Sequence, residues 1–432
     1  MAGEYLLFLI LGFLVLLALR VPVGFSMLLV CFAFTALSGR MPMTYIPQAM
    51  VSGLGNYSVM CSPFFILVGF VMNRAGVTEK LFEFADCCVG HIKGGLGHVN
   101  VLASLIFAGM SGSANADAAG LGLIEIKAMR DKGFDADFAV GVTAASSTIG
   151  PIFPPSNPMV IVAIMTGVSV GAMFYGGIVV GVIMTIFMMI TVYILASRKN
   201  YPVRKRATFK EFLKALKEGF WAILSPIVLL YCLQNGNITP TESGCVALIY
   251  AIAISLFVYK GIKFKDLFGI FSEAVNSVGL VLFLIAVGKV YSWALGDQQI
   301  GEVVSRFLFG ISSNPWIILL LINLFLLFLG TFMETVAAIT IAAPILFPIA
   351  SQLGINGVQF GVIFVLNLMI GLLTPPMAIC LFITAKLGEI SFERAWKAVT
   401  PYYIALLIVL ALVNLIPELT LWLPNVILGG YL

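Results

Sequence analysis

Charged residues are scarce in this sequence. Asp, Glu, Lys and Arg together make up 10% of its 432 residues, whereas 61% of the residues are hydrophobic. That balance is too apolar for the surface of an ordinary soluble protein, and it argues against binding of nucleic acid. Apolar runs such as 174–196, which is uncharged, and 402–423, whose one charged residue is Glu418, are long enough to cross about 30 Å of hydrocarbon. We therefore expect an all-α polytopic protein of the lipid bilayer.

Other absences narrow the function further. The sequence contains no GxxxxGK[ST] phosphate loop, which disfavours an ATP-driven pump. Its seven cysteines form no CxxC pair and mostly occupy apolar stretches, so neither disulfides nor a metal centre is expected. The N-terminus lacks the basic start and the small-residue cleavage site of a secretory signal. Residues 4–19 are therefore predicted to remain as the first membrane helix.

An enzymatic function is also disfavoured. Ser111 lies in a Gly-Met-Ser-Gly sequence, and an intramembrane serine protease would need a histidine beside that serine at membrane depth. The only two histidines, His91 and His98, are predicted at the cytoplasmic edge and precede Ser111 by ten residues or more. We expect no catalytic residues.

Glycines and prolines recur along the chain at a constant spacing of 221 residues. The matched pairs are Gly109 and Gly330, Gly133 and Gly354, Gly150 and Gly371, Pro154 and Pro375, Pro155 and Pro376, and Gly167 and Gly388. The loops after the proline pairs differ in charge, because 165–177 is uncharged whereas 386–398 contains Lys386, Arg394 and Lys397. Basic loops stay in the cytoplasm, so the two copies are predicted to be inserted upside down relative to each other. Inverted repeats are typical of alternating-access transporters.

Clusters of Lys and Arg set the predicted orientation. Segment 198–217 holds eight basic residues and is expected in the cytoplasm, as is the loop with Lys260, Lys263 and Lys265. Segment 235–242 has no basic residue and should be external, and both termini are also predicted outside. Full spans are predicted near 4–19, 22–38, 58–73, 138–165, 172–197, 220–235, 241–259, 268–294, 357–385 and 400–424.

Two further apolar segments are interrupted by glycines and polar residues. Segment 98–127 breaks at 109–117, and segment 316–350 breaks at 330–335. Each arm is expected to hold ten to twelve residues, or about 15 to 18 Å of helix, which is too short to cross the bilayer. Both segments are therefore predicted to be re-entrant hairpins whose tips are buried in protein or line a cavity.

These elements give a predicted organisation of five segments. They are N-terminal scaffold helices 1–57; a first inverted repeat 58–197, with a hairpin near 99–126 and a proline-broken helix near 138–165; a basic loop and central scaffold helices 198–267; a second inverted repeat 268–398, with a hairpin near 316–350 and a proline-broken helix near 357–385; and a C-terminal membrane helix 399–432.

In the first copy, the hairpin tip 109–122 is paired with the proline-containing segment 146–158. The prolines remove two N–H donors and release carbonyl oxygens about a turn earlier, near Gly150 and Pro151. Together with nearby hydroxyls, such carbonyls offer the hard oxygen ligands that Na+ accepts. The N-terminus of the helix after the break favours a carboxylate instead. The alternative is a proline kink whose hydroxyls bond back to their own helix.

Four charged residues each have two interpretations. Glu334 stands in an otherwise uncharged run and either contributes to a site or holds the second hairpin tip through hydrogen bonds. Asp117 either pairs with a cation or caps the second half of its hairpin. Lys289 either attracts an anionic substrate or extends to the membrane interface. Glu242 follows Thr-Pro-Thr at the start of a span, an arrangement that favours a helix cap.

Several motifs resemble those of the large membrane subunit of tripartite ATP-independent periplasmic (TRAP) transporters. They are GMSGSANADAAGLG at 109–122, GPIFPPSNP at 150–158, TPTE at 239–242, GTFMET at 330–335 and GLLTPP at 371–376. The resemblance implies a sodium-driven importer of organic acids, such as sialic acid, C4-dicarboxylates or sugar acids, in the bacterial inner membrane with periplasmic termini. It also implies a separate small four-helix membrane subunit, a periplasmic binding protein, and an elevator movement of the hairpins and broken helices.

The resemblance and the residue chemistry together define the candidate site. Na+ is the expected coupling ion, at two or more sites, with neither ATP nor an organic cofactor. The substrate-binding candidates are Ser111, Ser113, Asn115, Asp117, Ser156, Asn157 and Glu242. The sodium candidates are Ser146, Ser147, Gly150, Pro151, Gly330, Thr331, Glu334, Asn367, Gly371 and Thr374. The alternative function is a single-component sodium/anion symporter of similar architecture that needs no binding protein.

Overall fold

The computed structural model describes residues 5–199, 201–234 and 238–429. Within these ranges the chain consists of helices and their connections, with no β-strand. The first four residues, residue 200, residues 235–237 of the predicted external loop and residues 430–432 of the C-terminal segment lie outside the described part. The prediction of an all-α fold is confirmed for the described residues.

The first half of the chain contains two hinge-like interruptions of its helices. A π-helical turn, Asp117–Leu121, joins α7 to α8, and a 3-10 turn, Ser147–Ile149, follows α9. Another 3-10 turn, Tyr57–Met60, precedes α4. The helices are α1 Leu6–Ala18, α2 Val23–Ser38, α3 Tyr45–Leu54, α4 Cys61–Arg74, α5 Val77–Val89, α6 Gly95–Ser111, α7 Ala114–Ala116, α8 Gly122–Asp131, α9 Ala136–Ser146, α10 Asn157–Thr166 and α11 Val170–Ser197.

The second half has longer uninterrupted helices. The apolar span that starts with α13 begins at Pro240 behind a capping box formed by Thr239 and Glu242 and continues as a π-helical turn, Ile254–Val258. The helices are α12 Phe209–Gln234, α13 Pro240–Ala253, α14 Asp266–Asp297, α15 Ile300–Ile311, α16 Pro315–Phe332, α17 Thr335–Gln352, α18 Gly357–Leu373, α19 Ile379–Gly388, α20 Phe392–Leu415 and α21 Glu418–Leu428.

The helix boundaries reproduce the repeat that the glycines and prolines indicate. The second hairpin arm of the first copy, α7 through α8, spans 114–131, and α17 spans 335–352, which is the same segment 221 residues later. The correspondence extends to α6 with α16, α9 with α18, α10 with α19, and α11 with α20. Both proline pairs contain a cis peptide bond, Pro154–Pro155 and Pro375–Pro376. The two copies therefore share their local structure.

The predicted broken helices are confirmed. In the first copy, helical structure stops after the 3-10 turn that follows α9 and resumes at α10, and in the second copy it stops between α18 and α19. Proline lacks the N–H that a helix interior requires, so two consecutive prolines end each first half. The backbone groups freed at these breaks must find other partners.

The predicted hairpin arms were too short. The arms are α6, with 17 residues, and α16 and α17, with 18 residues each, so an arm is about 26 Å long at 1.5 Å per residue. The estimate placed each break at its glycine, whereas α6 continues through Gly109 to Ser111 and α16 through Gly330 to Phe332, because glycine is tolerated inside a helix whose neighbours pack closely. The helix–break–helix form is observed, and its re-entrant insertion stays a prediction.

Eight helices of the described residues are long and apolar enough to cross a membrane. They include α16 and α17 of the second hairpin, whereas α1 and α2 are among the shorter apolar helices, although α2 agrees with the predicted span 22–38 to within one residue. The predicted span 400–424 is also wrong as one helix. It divides into α20, which ends at Leu415, and the separate α21, because Pro417 interrupts the helical hydrogen bonds.

The two copies interlock at their hairpins and broken helices. The second half of the first broken helix, α10, packs on α17 of the second hairpin, while α19 packs on α8 and α9 of the first copy. Both α10 and α18 are apolar on nearly all sides and almost completely buried. The breaks of both copies therefore lie inside one central body of helices.

Candidate functional site

The tip of the first hairpin rests on the proline pair of its own copy. Helix α6 ends at Gly112, whose backbone is left-handed at φ 58°, a conformation that glycine adopts without strain. A Cβ atom at Gly112 would collide with the carbonyl oxygen of Pro155. Glycine at this position therefore allows the tip to approach the broken helix directly.

Asp117 is the buried carboxylate of this tip. Ser111 donates a hydrogen bond to its Oδ1 atom, whereas Oδ2 is buried and has no hydrogen-bond partner in the described part of the chain. The Oδ2 atom lies against Gly150 in the broken helix, where a Cβ would come within 2.6 Å of it. A buried carboxylate without a partner is costly, so this position favours a cation.

Asn115 connects the first hairpin to the second copy. Its Oδ1 atom accepts a hydrogen bond from the Cys380 thiol of α19 at 3.4 Å. The neighbouring Ser113 is half-buried, and its backbone N–H donates to the Ser111 hydroxyl at 3.4 Å. Ser113 thus lies two residues before a contact between the copies.

The first break is closed by its own side chains. Ser156 accepts from the Met159 N–H at 3.2 Å, which caps α10, and it donates to the freed carbonyl of Pro151. Asn157 accepts from Ser62 of α4 at 3.2 Å. Ser156 thereby occupies the Pro151 oxygen that was predicted to bind sodium, so this pair supports the kink alternative at Pro151.

Ser147, a predicted sodium ligand, and its neighbour Thr148 form hydrogen bonds back to α9. Ser147 and Thr148 donate to the carbonyls of Ala144 and Ala145 at 2.8 and 2.6 Å, the back-bonded arrangement described above as the alternative. Each oxygen still has a free lone pair, because a hydroxyl accepts as well as donates. The structure places Ser147 in the buried break beside Gly150.

Ser146 belongs to a buried polar network that spans three helices. Its hydroxyl accepts from Ser104 at 3.0 Å and donates to Asn100 Oδ1 at 2.7 Å. The amide group of Asn100 then donates to Thr143 at 2.7 Å and to Glu125 Oε2 at 2.6 Å. We call Asn100, Ser104, Glu125, Thr143 and Ser146 the carboxylate network.

The second hairpin tip is held by Glu334. It is half-buried at the N-cap of α17 and accepts from the N–H groups of Val336 and Ala337 at 2.9 and 3.3 Å. These bonds satisfy two helix-end donors and favour a negative charge at this place. They agree with the structural interpretation of Glu334, and one carboxylate oxygen remains available for a cation.

At its tip, the second hairpin approaches its broken helix through backbone contacts. A Cβ on Gly371 would come within 2.7 Å of the backbone of Gly330, and the Met377 N–H donates to the Thr331 carbonyl at 3.1 Å. Thr331 and Thr374 donate to the helical carbonyls of Phe328 and Ile370 at 2.8 and 2.9 Å. The predicted ligands of the second copy are thus brought together around one close contact.

Asn367 forms a neutral network at the position that repeats Ser146. It donates to Asn323 Oδ1 at 2.6 Å, and Asn323 donates to Asn414 Oδ1 at 3.0 Å. The Oδ1 atom of Asn367 is buried and has no partner among the described residues. We call Asn323, Asn367 and Asn414 the amide network.

Two predicted residues lie away from the tips. Glu242 is exposed, and its Oε2 atom accepts from both the backbone N–H and the hydroxyl of Thr239 at 2.7 Å, which makes it a helix cap. Lys289 is exposed on α14, with its Cβ near Gly53 of α3. A substrate role for Glu242 stays a prediction that the described contacts do not support.

Ion pairs join the ends of the two copies. Arg130 of α8 pairs with Glu389 at 3.3 Å, and Arg394 of α20 pairs with Asp137 of α9 at 2.8 Å. Lys199 and the Tyr201 hydroxyl both donate hydrogen bonds to the Asp135 carboxylate. These bonds hold the pKa of the Asp135 carboxyl below its usual value. The basic partners all belong to segments predicted to face the cytoplasm.

The sequence analysis missed part of the polar core. Asn100, Glu125, Asn323 and Cys380 were not predicted, although each is less than 10% exposed and contacts a predicted residue or its neighbour. Glu125 is followed closely by Lys127 and Arg130, so in the sequence it looks like one of several exposed charged residues at the end of a hairpin. Asn100 and Asn323 could have been identified from the sequence, because each is a single amide side chain inside an apolar hairpin arm.

Comparison with known proteins identifies relatives along almost the whole chain. Residues 10–419 match the family model described as "Tripartite ATP-independent periplasmic transporter, DctM component". The chain is 43% identical to the sialic acid TRAP transporter large permease protein SiaM of Vibrio cholerae, covering 97% of this chain and 98% of that protein. It is 36% identical to the C4-dicarboxylate TRAP transporter large permease protein DctM of Pseudomonas aeruginosa, covering 86% and 87% of the two chains.

Two other relatives extend the comparison. The sialic acid TRAP transporter permease protein SiaT of Haemophilus influenzae is 38% identical over 97% of this chain, and the match covers 68% of that longer protein. Among solved structures, the YdaH transporter of Alcanivorax borkumensis superposes with a TM-score of 0.62 at 15% identity, covering 91% of this chain and 97% of that one. At that identity the likeness concerns the fold alone.

Proposed function

This chain belongs to the DctM component family of tripartite ATP-independent periplasmic transporters, and we propose that it imports an organic acid anion coupled to Na+. The family consists of membrane-embedded permease subunits rather than enzymes. The coarse function, transport across a membrane by a multi-pass protein, follows from membership. Sodium coupling, the kind of anion and the movement of the hairpins are the proposed parts.

The observation that carries the sodium proposal is the unpartnered Oδ2 atom of Asp117. It is buried against Gly150, beside a break in which the helix no longer uses all its carbonyl oxygens. A monovalent cation at this place would neutralise the carboxylate and would take oxygen ligands from Ser111 and the break. Because the same ion would touch the hairpin and the broken helix, its binding would fix one against the other.

An anionic substrate fits the neighbouring positions. Ser113 and Asn115 border the contact between the two copies, and Cys380 approaches from α19. A bound cation at Asp117 would reduce the repulsion between that carboxylate and an organic acid, which provides a simple electrostatic route to coupling. Sialic acid is the first candidate because of the 43% identity to SiaM, and C4-dicarboxylates and sugar acids are the others.

The proposed assembly has three components. We expect this chain in the bacterial inner membrane, with both termini in the periplasm, beside a small four-helix membrane subunit. A periplasmic binding protein would deliver the anion to it. The hairpins and broken helices form one interlocked body, as an elevator movement against a scaffold of α1–α5 and α12–α15 would require.

Uptake measurements in proteoliposomes test this function. The vesicles contain the chain with its small subunit, and labelled sialic acid or a C4-dicarboxylate is supplied with and without the binding protein and an inward sodium gradient. We expect accumulation only when both are present. Uptake that ignores sodium would contradict the coupling, and equal uptake without the binding protein would support the single-component symporter instead.

A further inference from the structure

Glu125 is a buried carboxylate that the proposed sodium site does not use. It lies on α8, is 1% exposed, and accepts from Asn100 at 2.6 Å through Oε2. Its Oε1 atom is buried and has no hydrogen-bond partner in the part of the chain that the structure describes. No Lys, Arg or His forms an ion pair with Glu125 among those residues. A bare charge at this place would cost several kcal/mol.

Packing alone does not explain the carboxylate. The second copy closes the same junction between a hairpin arm and a broken helix with the amide network, which contains no charged group. The residue that repeats Glu125 is Leu346, which is buried in α17. A neutral network therefore suffices for the shared fold, and the acid in the first copy has a different use.

The surroundings of Glu125 fit a proton better than a metal ion. Asn100 and Ser104 lie inside the regular helix α6 and Glu125 lies inside α8, so the backbone carbonyl oxygens of these turns are used in helical hydrogen bonds. Ser104, Ser146 and Asn100 bond to one another in sequence, and Glu125 Oε1 is the one buried oxygen of the described network that has no hydrogen-bond partner at all. Na+ requires several oxygens, whereas a proton requires one.

The charged neighbours also disfavour an ionised Glu125. Asp117, two turns earlier in the same hairpin arm, interacts electrostatically with it as a like charge. The helices packed on α8 carry His98 on α6, Asp137 on α9 and Lys386 on α19. His98 bonds the carbonyl of Lys93, Asp137 pairs with Arg394, and Lys386 is exposed, as are Lys127 and Arg130 on α8 itself.

We propose that Glu125 is a proton-binding site that, when protonated, holds the first hairpin against α9. Glu125 lies six residues before Asp131, the last residue of α8, or about 9 Å along the helix. That end carries the basic residues predicted to face the cytoplasm. Loss of the proton leaves an uncompensated charge between α6, α8 and α9, so the hairpin separates more easily from the broken helix.

Infrared spectroscopy tests the proton directly, without requiring transport. The purified full chain carries Asp117→Asn, so that the other acid of this hairpin arm does not contribute, and is titrated with pH in lipid nanodiscs. We expect the carbonyl band of a protonated carboxyl group near neutral pH, and its loss on adding Glu125→Gln. Glu393→Gln, an exposed acid at the start of α20, serves as the matched control and should leave the band unchanged.

Three outcomes overturn the inference. They are an identical band with and without Glu125→Gln, loss of the band when sodium is added at constant pH, and loss of the band in Glu393→Gln alone. If Glu125→Gln does not give folded protein, Glu125→Asp replaces it, and we expect a shifted band, whereas an unshifted band contradicts the assignment.

A transport measurement then connects the proton to the proposed function, on which this part of the inference rests. In proteoliposomes, we expect sodium-driven uptake by the native chain to fall as the internal pH is raised, and that fall to be absent in Glu125→Gln. The same pH dependence in both proteins contradicts a role for Glu125. Absence of any sodium-driven uptake contradicts the proposed function instead and leaves the infrared result as the test of the proton.

Discussion

The two copies form the same backbone junction between a hairpin and a broken helix, but they place different side chains along the hairpin. The first copy places Ser111, Asp117 and Glu125 along its hairpin, whereas the second has Phe332, Ala338 and Leu346 at the repeated positions. Its own acid, Glu334, repeats Ser113 and is held by two backbone N–H groups of α17. The difference teaches that the fold needs the break and the close approach, but does not need the carboxylates of the first copy, Asp117 and Glu125, each of which has one unpartnered oxygen.

The close contact between the hairpin and the broken helix also differs between the two copies. In the second copy, Gly371 lies against the backbone of Gly330, so two backbone segments pack directly on each other with no side chain between them. In the first copy, the matching Gly150 meets the carboxylate of Asp117. Equivalent glycines therefore make room for backbone in one copy and for a charged side chain in the other, and substitutions at the two sites should have different consequences.

The largest expected effect is at Asp117. We expect Asp117→Asn to weaken sodium binding by roughly 30- to 150-fold, since contacts of a buried charge are worth about 2 to 3 kcal/mol. The sodium concentration for half-maximal uptake measures this change. Asp297→Asn, which alters a scaffold carboxylate paired with Arg40, is the control and should keep the native sodium affinity. Native affinity in Asp117→Asn would remove the functional contrast between the copies.

Substitution of the matched glycines separates packing from ion binding. Gly371→Ala should lower the free energy of unfolding by about 1 to 3 kcal/mol, because its Cβ meets rigid backbone. Gly150→Ala should mainly weaken sodium binding, because the carboxylate it meets can shift. Thermal unfolding and sodium titration measure the two effects, with Gly279→Ala as the control, since nothing lies within 4 Å of a Cβ there. Equal unfolding temperatures for Gly371→Ala and the control would contradict the packing argument.

Glu334 tests whether the second tip is only structural. Glu334→Ala removes the cap of α17 and should cost about 1 kcal/mol of stability, whereas Glu334→Asn keeps a good cap without the charge. We expect both variants to weaken sodium-dependent uptake, as should Ser113→Ala at the repeated position. Full sodium dependence in Glu334→Asn, together with native stability, would assign the carboxylate to the cap alone.

The smallest expected effect is at the ion pair between the copies. Arg130 and Glu389 are largely exposed, with side-chain exposures of 41% and 76%, so their attraction is weakened by water and salt. Arg130→Gln should change the free energy of unfolding by about 0.5 kcal/mol or less. Denaturant unfolding of the native chain and of Arg130→Gln checks this value. A decrease in the free energy of unfolding several times larger than this would show that ion pairing, rather than packing, holds the ends of the two copies together.

Much of the architecture could be predicted from local features of the sequence. The apolar runs indicate membrane helices, the proline pairs require breaks, and the constant spacing identifies the copies whose helix boundaries then agree. The arm lengths could not be predicted in this way, because glycine weakens a helix without ending it and only the neighbouring helices decide. The division of 400–424 into α20 and α21 also escaped the hydropathy pattern, which does not change at Pro417.

For the candidate site too, some features could be predicted from the sequence and others could not. The sequence alone determined that polar tips and broken helices occur twice, and it singled out Asp117 and Glu334 because a charge is rare in an apolar segment. Only the tertiary structure decided which groups keep free oxygens. Ser156 closes the Pro151 carbonyl and Thr239 binds Glu242, whereas Asp117 and Glu125 each retain one unpartnered atom. Hydrogen bonds between distant segments make that distinction, and no spacing along the chain encodes their directions.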